Sequence, residues 1–389
     1  MSDKPLPLEG IRVLDVSQVM AGPFCCMLLG DLGADVIKVE PPSGDQTRSA
    51  MGFRLKGDDS LGFLNMNRNK RSIALDLKSD EDRRIFLELA KTADVIVENY
   101  RPGVVKRLGI DYDTVAAINP GIIYASISGF GQTGPWSQRP GFDLMAQAAS
   151  GIMSITGHPD GPPAKSGGPL ADIGCSLFTV YAILAAHIGK QKTGEGQFID
   201  ASLYEAGLSF AVWDICDYWG TGIVPGRIGT ANRMAAPYQA VRAKDGHFVL
   251  GANNDRLYRR LCETMGREDL TDHPDYATNA LRMKNRDALI ADLETTLVTR
   301  TRQEWVQALL DAGIPAGPIL DYAEALGNEH ADARDMVMPI NHPIEGEVRN
   351  IGFPVKLRGT PQRVRRHPPL LDEHRVELLR ELGIEVANG

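Results

Sequence analysis

Ile11-Arg12-Val13-Leu14-Asp15-Val16, a helical stretch from Pro23 to near Gly33, and Asp35-Val36-Ile37-Lys38-Val39-Glu40 closed by Pro41-Pro42-Ser43-Gly44 decide the fold. The two apolar runs are short, rich in β-branched residues and ended by turn residues, with a helical pattern between them, so they read as a βαβ unit. The alternation continues through a strand at Ser72–Leu77 and a helix at Ser79–Ala93 whose Ser79 and Asp82 have capping-box spacing. A strand at Val95–Glu98, a short helix near Thr114–Ile118 and a strand at Ile122–Ile127 complete it. Apolar strands alternating with helices predict an α/β fold with a parallel, doubly wound, Rossmann-like sheet.

From Phe142 the pattern turns helical, and a strongly apolar helix is expected from about Ile173 to Ile188, with Asp172 immediately before it. The turn Thr193-Gly194-Glu195-Gly196 leads into a strand-like Gln197–Ala201. Gly220–Pro225 reads as a linker, and Pro237–Ala252 as a hairpin turning at Lys244-Asp245-Gly246. A second domain therefore starts here, with helices at Asp255–Met265, Asn285–Leu297 and Arg302–Ala312. The last is opened by Thr301 and Glu304 as a capping box and closed by Gly313 and Pro315. From Asn328 the chain is rich in Pro and Arg until a short helix near Glu373–Leu382.

At 389 residues the chain calls for two domains. With 43% apolar and 24% charged residues it is neither disordered nor fibrous, and 42 basic against 50 acidic residues, a net charge of −8, argue against a nucleic-acid partner. The five cysteines are odd in number and include no Cys-x-x-Cys pair, so they read as reduced thiols of a cytoplasmic protein. No signal peptide is legible in Met1–Pro7, and the apolar stretch Leu177–Ile188 is too short to span a bilayer, so no membrane is expected. Eight scattered histidines without ligand spacing, and no Walker A, G-x-S-x-G or H-E-x-x-H motif, leave metal and serine-hydrolase chemistry without support.

Three features invite a functional reading. Gly129-Phe130-Gly131-Gln132-Thr133-Gly134 matches G-x-G-x-x-G after a strand, but Pro135, Pro140 and Gly141 deny it the following helix, so a loop closing over a ligand or a plain surface loop accounts for it better than a dinucleotide site. Asp172, behind Gly167-Gly168-Pro169 and ahead of an apolar helix, reads either as an N-cap or as a nucleophile kept ionised by the helix dipole and free amides. Lys38, Arg48, Lys70, Arg71, Arg101, Lys106 and Arg107 cluster near strand ends, where they either meet a phosphorylated ligand or form a solvated face.

The ordered blocks 8–15 (Leu-Glu-Gly-Ile-Arg-Val-Leu-Asp), Ala21-Gly22-Pro23, 32–40, Asn69-Lys70-Arg71-Ser72, 94–103 (Asp-Val-Ile-Val-Glu-Asn-Tyr-Arg-Pro-Gly), Thr193-Gly194-Glu195-Gly196-Gln197, Ala236-Pro237-Tyr238-Gln239 and His367-Pro368-Pro369-Leu370-Leu371 resemble the type III CoA-transferases, a family that includes formyl-CoA and carnitine CoA-transferases and alpha-methylacyl-CoA racemases. The resemblance spans nearly the whole chain. It implies a discontinuous large Rossmann-like domain at 1–220 plus 328–389, a smaller α+β domain with linkers at 221–327, and a homodimer of two interlocked rings. It implies CoA transfer from an acyl-CoA to a small carboxylic acid, with coenzyme A as substrate and no permanently bound cofactor. The family's catalytic aspartate falls on Asp172, which would form an acyl-aspartyl anhydride and then an aspartyl-CoA thioester; Lys38, Asn99, Tyr100, Arg101, Lys106 and Arg107 would lie against the CoA.

Two departures bear on substrate. The racemases carry a catalytic His-Asp pair where this chain has Phe142-Asp143, so the alternative reading, a racemase-like isomerase, lacks its proton relay. The glutamine that precedes Ala-Gly-Pro in formyl-CoA transferase is Met20 here, and that enzyme's glycine loop corresponds to Gly251-Ala252-Asn253-Asn254, which weighs against oxalate as acceptor. A substrate pocket of Gln18, Ala21, Arg48, Phe142, Asn253 and Asn254 would suit a dicarboxylic acid, with succinyl-CoA as donor; the other reading of Arg48 is that it holds CoA phosphate.

Overall fold

The apolar runs form one six-stranded sheet in a computed structural model that describes residues 4–50, 53–57 and 59–385. Its strands are β1 (Arg12–Asp15), β2 (Asp35–Glu40), β3 (Lys70–Ala74), β4 (Val95–Glu98), β5 (Ile123–Ser128) and β6 (Gln197–Ser202). They run parallel in the order β3-β2-β1-β4-β5-β6. Each of the first five is buried almost throughout, as strands covered on both faces must be. The order reverses between β1 and β4, so the loops leaving their C-terminal ends diverge and open a crevice.

One face of the sheet packs Val13, Val97 and Ala125 against Cys25 and Leu29 of the helix Ala21–Asp31 and against Cys175 and Ile183 of the helix Leu170–Thr193. The other packs Ile37, Ile73 and Ile96 against Phe86 and Leu89 of the helix Asp80–Lys91. Leu378 and Leu379 of the last helix, Arg375–Glu381, join that second face, so the end of the chain returns to the sheet. Leu170–Thr193 is the one helix among the described residues long and apolar enough to cross a bilayer. Its Cys175-Thr179-Ile183-Ala186 side is buried in the core. It starts earlier and ends later than the sequence pattern suggests, because Leu170 and the Lys190–Thr193 turn join it.

Some local expectations change. Ser79 precedes its helix without a side-chain cap bond, and the other half of the box is absent too, since the Asp82 carboxylate accepts from the Asp76 amide at 2.8 Å while the Ser79 amide donates to the Asp76 carbonyl at 2.8 Å. The expected strand at Ser72–Leu77 lies at Lys70–Ala74, since burial in ion pairs admits Lys70 and Arg71 to the strand. A hairpin of β10 (Val337–His342) and β11 (Gly346–Ile351) occupies the Pro- and Arg-rich tail, with Pro339 tolerated in a two-stranded ribbon that has open edges.

The chain divides into two compact units. The larger holds Met1–Met153, Lys165–Ile223 and Glu329–Gly389, of which 1–3, 51–52, 58 and 386–389 lie outside the described residues. The smaller holds Val224–Asn328 together with Ser154–Ala164, a segment that the sequence reading places in the large domain. Its antiparallel sheet, β7 (Tyr238–Ala243), β8 (Gly246–Gly251) and β9 (Ala316–Pro318), packs Phe248 with Leu261, Leu293 and Trp305 of its helices. The Thr301–Glu304 capping box forms. The Gly157–Arg227 neighbourhood ties the inserted segment in, since the Arg227 guanidinium donates to the carbonyl of Gly161 at 2.8 Å.

Beside the C-terminal end of β1 the sheet buries charge drawn from β1, β2 and the start of β3. Lys70 Nζ donates to Asp15 at 2.7 Å, to the Pro23 carbonyl at 2.8 Å and to Asn67 at 2.8 Å. Lys38 Nζ donates to Asp45 at 2.9 Å and to the Ser17 carbonyl at 3.1 Å. Burial alone would raise the Asp45 pKa, yet Lys38 outweighs it and holds the carboxyl down at about 2; Asp15 is lowered by Lys70 and Lys38 in the same way. Folded values below the unfolded ones give stability that is complete above about pH 4 and is lost as pH falls toward 2. Lys70→Met leaves Asp15 buried with a cation no closer than 4.0 Å. We expect it to cost about 3–5 kcal/mol, read by urea unfolding at pH 7; an unchanged midpoint would refute this account of the core.

Candidate active site

The crevice between the β1 and β4 ends is a cleft of about 340 Å³. The turn after β1 supplies Gln18, Val19, Met20 and Ala21, the segment after β4 supplies Asn99, Tyr100, Arg101 and Pro102, and the end of β5 supplies Ser128 and Gly129. Gln46, Arg139, Phe142, Asp172 and Leu203 complete the principal walls.

The β1 turn is stitched to the β4 segment. Asn99 accepts from the Gln18 amide at 2.8 Å and donates back to the Gln18 carbonyl at 2.7 Å. The chain then passes through Val19 at φ +69°, a strained conformation for a β-branched residue, before the helix Ala21–Asp31 begins. Gly22 is required at its second position, because a Cβ there would stand 2.2 Å from the Ser17 side chain. Tyr100 is set by Glu98, which accepts from the Tyr100 amide at 2.7 Å and from the Ser126 hydroxyl. Burial pushes the Glu98 carboxyl up to about 7.

The glycine loop after β5 is not a dinucleotide fingerprint. Gly129 passes Gly141 so closely that a Cβ would meet the Gly141 Cα at 2.7 Å. Gly131 donates its amide to Ser128 Oγ at 2.9 Å, the Gln132 amide is shared by both Asp200 oxygens at 3.0 and 3.1 Å, and Gln132 Nε2 reaches Ser126 at 2.7 Å. The loop is thus tied down at its base, and its start lines the cleft.

Asp172 is the third residue of its helix rather than its cap. Asp143 does the capping from another segment: its Oδ1 accepts from the Ala171 amide at 2.9 Å and weakly from the Asp172 amide at 3.4 Å, and its Oδ2 accepts from Gln147 Nε2 at 2.6 Å. The helix amides expected to hold Asp172 ionised are therefore engaged by Asp143. Burial, and then the charge of Asp143, push Asp172 up to about 7. No donor to its carboxylate is found among the described residues, so its oxygens stay open to the cleft. A carboxyl that ionises near neutrality on a rigid helix is chemically suited to nucleophilic attack.

The cleft brings together Gln18, Ala21, Asn99, Tyr100, Arg101, Phe142 and Asp172, and leaves out the other residues nominated by sequence. Lys38 has no exposed surface and its ammonium is taken by Asp45 and Ser17, so it cannot meet a CoA phosphate. Arg48 is equally spent. It binds Glu40 bidentately at 2.8 Å, Asp59 at 2.9 Å and the Pro369 carbonyl at 3.1 Å, and lies 3.8 Å over the Phe63 ring, so neither reading of it holds. Lys106 and Arg107 are exposed on the helix Val104–Leu108, outside the cleft lining. Asn253 and Asn254 belong to the smaller unit, where Asn254 caps the helix Asp255–Met265 by accepting from the Leu257 amide at 2.9 Å. Gln46, Ser128 and Arg139 escape the sequence reading. Strand-end logic reaches Ser128, whereas Arg139 sits in an irregular loop with no periodic signal.

A model of CoA-transferase family III matches residues 8–375. The acetyl-CoA:oxalate CoA-transferase of Acetobacter aceti is 42% identical over 380 residues, 97% of this chain and 96% of the relative. The succinyl-CoA:mesaconate CoA-transferase of Haloarcula hispanica is 40% identical over 389 residues, again 97% and 96%. Among solved structures, that of a CaiB/BaiF family protein from Brucella suis aligns with a TM-score of 0.87 at 37% identity, covering 97% of this chain and 100% of that one.

The Asp172 carboxyl carries a stability consequence of the opposite sign to Asp45. Its folded value of about 7 lies above its unfolded value of 3.8, so the folded state loses stability as pH rises between about 4 and 7 and the loss is constant above. Asp172→Asn removes that cost. The variant should match the wild type near pH 4 and exceed it by roughly 2–4 kcal/mol at pH 8, measured by chemical unfolding at both pH values. A difference independent of pH would contradict the assignment.

Proposed function

The chain belongs to CoA-transferase family III, and on that premise we propose that it moves CoA from an acyl-CoA donor, succinyl-CoA before others, to a small dicarboxylic acid. The observation that carries the reading is the place of Asp172: an unpaired carboxyl with a pKa of about 7, on the wall of a cleft at the β1/β4 crossover. The relatives named above act on oxalate and on mesaconate, which supports a dicarboxylate as acceptor. Because the oxalate-using relative shares 42% of its residues with this chain, oxalate belongs among the acids tested despite Met20.

In this mechanism an Asp172 oxygen attacks the thioester carbonyl of the donor, forming an acyl-aspartyl anhydride and releasing CoA thiolate. The thiolate attacks the aspartyl carbonyl, giving an aspartyl-CoA thioester and the free donor acid. The acceptor carboxylate attacks that thioester, again expelling thiolate, and the thiolate takes the acceptor acyl group from the second anhydride and restores Asp172. Each step exchanges one activated carbonyl for another. Asn99, Tyr100 and Arg101 line the side of the cleft toward the basic helix Val104–Leu108, a setting that suits the CoA phosphates. Phe142, standing where a racemase has histidine, offers an apolar face and no proton.

Asp172→Ala should reduce CoA exchange to background while the circular dichroism spectrum is kept. Hydroxylamine added after wild-type protein meets donor acyl-CoA should mark Asp172 in a peptide map. Exchange near the wild-type rate, or label on a different carboxylate, would sink the mechanism. α-Proton exchange without acyl transfer would favour the isomerase.

We also propose that the working form is a homodimer. The larger unit exposes Leu177, Tyr181 and Ile188 on the helix Leu170–Thr193 and Trp213 and Trp219 on the helix Val212–Thr221. Apolar surface of that kind on one unit is the mark of an interface. If the two chains interlock, dilution will not separate them, and mass photometry at nanomolar concentration should record dimers of the 42.4 kDa chain; monomers would refute it.

A further inference from the structure

The cleft walls include two cations, Arg101 and Arg139, and among the described residues neither forms an ion pair. They sit in different surroundings. Arg101 follows Asn99 and Tyr100 and leads into the basic Lys106-Arg107 turn, whereas Arg139 stands apart from other basic residues, three positions before Phe142 and four before Asp143, which caps the Asp172 helix. Its guanidinium is held in place from below. It lies 4.4 Å over the Trp136 ring, and Trp136 is clamped edge-on by Phe130 at 5.8 Å and Tyr204 at 5.7 Å. The Arg139 amide also donates to the Trp136 carbonyl at 2.9 Å. A guanidinium whose flat face is taken by an indole keeps its edge for a planar anion, and it does so with little rotamer freedom left to lose.

We propose that Arg139 binds the distal carboxylate of the acid on which Asp172 acts, and so sets the preference for dicarboxylic over monocarboxylic substrates. The assignment rests on the CoA-transferase reading above and deepens it. The reacting carboxylate would lie at Asp172, the methylene chain over the exposed Phe142 ring, and the far carboxylate on the Arg139 edge, all on one stretch of wall between Arg139 and the start of the Asp172 helix. A two-pronged Arg–carboxylate bond is directional and charge-assisted, whereas butyrate would leave the guanidinium with water alone. The task that the sequence gives to Arg48 thus moves to a residue whose donors are unspent.

The test uses the full-length protein with acetyl-CoA as donor, which carries no distal carboxylate, and glutarate and butyrate as matched acceptors. Wild type should favour glutarate in kcat/KM by roughly ten- to a hundredfold, the worth of one charged hydrogen-bond pair. Arg139→Met should erase that preference by raising the KM for glutarate, leaving butyrate and the KM for acetyl-CoA unchanged, and Arg139→Lys should recover part of it. Equal wild-type efficiency on the two acids overturns the assignment alone. So does an Arg139→Met variant that raises the acetyl-CoA KM by the same factor, since that places Arg139 on the CoA. Wild-type protein that transfers CoA to neither acid, nor to oxalate or mesaconate, from either acetyl-CoA or succinyl-CoA overturns the functional reading and this assignment with it.

Discussion

Asp15, the last residue of β1, holds the architecture of this site together. Its carboxylate is without solvent contact and meets Lys70 from β3, while Lys38 from β2 stands between it and Asp45. Buried charges of this kind are tolerable only when paired and fully hydrogen-bonded, and here every donor of Lys70 has a partner on a different segment. β1, β2 and the edge strand β3 are thus tied together beneath the end where the ligand cleft opens. The same network fixes the Ser17–Ala21 turn, since Ser17 donates to Asp15 and Lys38 donates to the Ser17 carbonyl. That fixed base lets the chain sustain a left-handed Val19 on the cleft wall.

The two carboxylates at the start of the Leu170–Thr193 helix divide labour by environment. Asp143 has its oxygens filled by the Ala171 amide and by Gln147, so it serves as a cap. Asp172, a neighbour deprived of those amides and half enclosed, has its pKa raised by burial and by the charge beside it. Helix capping from a distant segment therefore does more than stabilise a helix end: it takes up the dipole that would otherwise lower the pKa of Asp172. The result is a carboxyl poised near neutrality, more basic and more nucleophilic than a free aspartate.

The charged residues near strand ends separate along a single physical line. Lys38, Arg48, Lys70 and Arg71 lie on or beside β2 and β3, where the sheet, the Asp45–Arg48 turn and the returning tail enclose them, and each is consumed by carboxylates. Arg101 and Arg139 lie on loops beyond β4 and β5, at the open side of the crossover. Partners decide the difference. Glu40 and Asp59 claim Arg48, and the Pro369 carbonyl, from the other end of the chain, completes its shell. A family-like block at 367–371 thereby turns out to support the sheet from its edge.

The parallel sheet, its βαβ opening, and the hairpin and helices of the smaller unit were legible in the sequence, because each rests on local signals: β-branched runs, turn residues and a capping box. The strand Asp35–Glu40 and the helix Asp255–Met265 fall where the pattern puts them. Tertiary structure alone decided which charges are spent. Whether Arg48 is a ligand-binding group or a buried strut depends on Glu40, Asp59 and Pro369, and whether Asp172 is a cap or an open carboxyl depends on Asp143. Sequence reports that a charge exists, but the partners that neutralise or free it arrive from remote parts of the chain, and only folding brings them within the few ångströms over which hydrogen bonds and desolvation act.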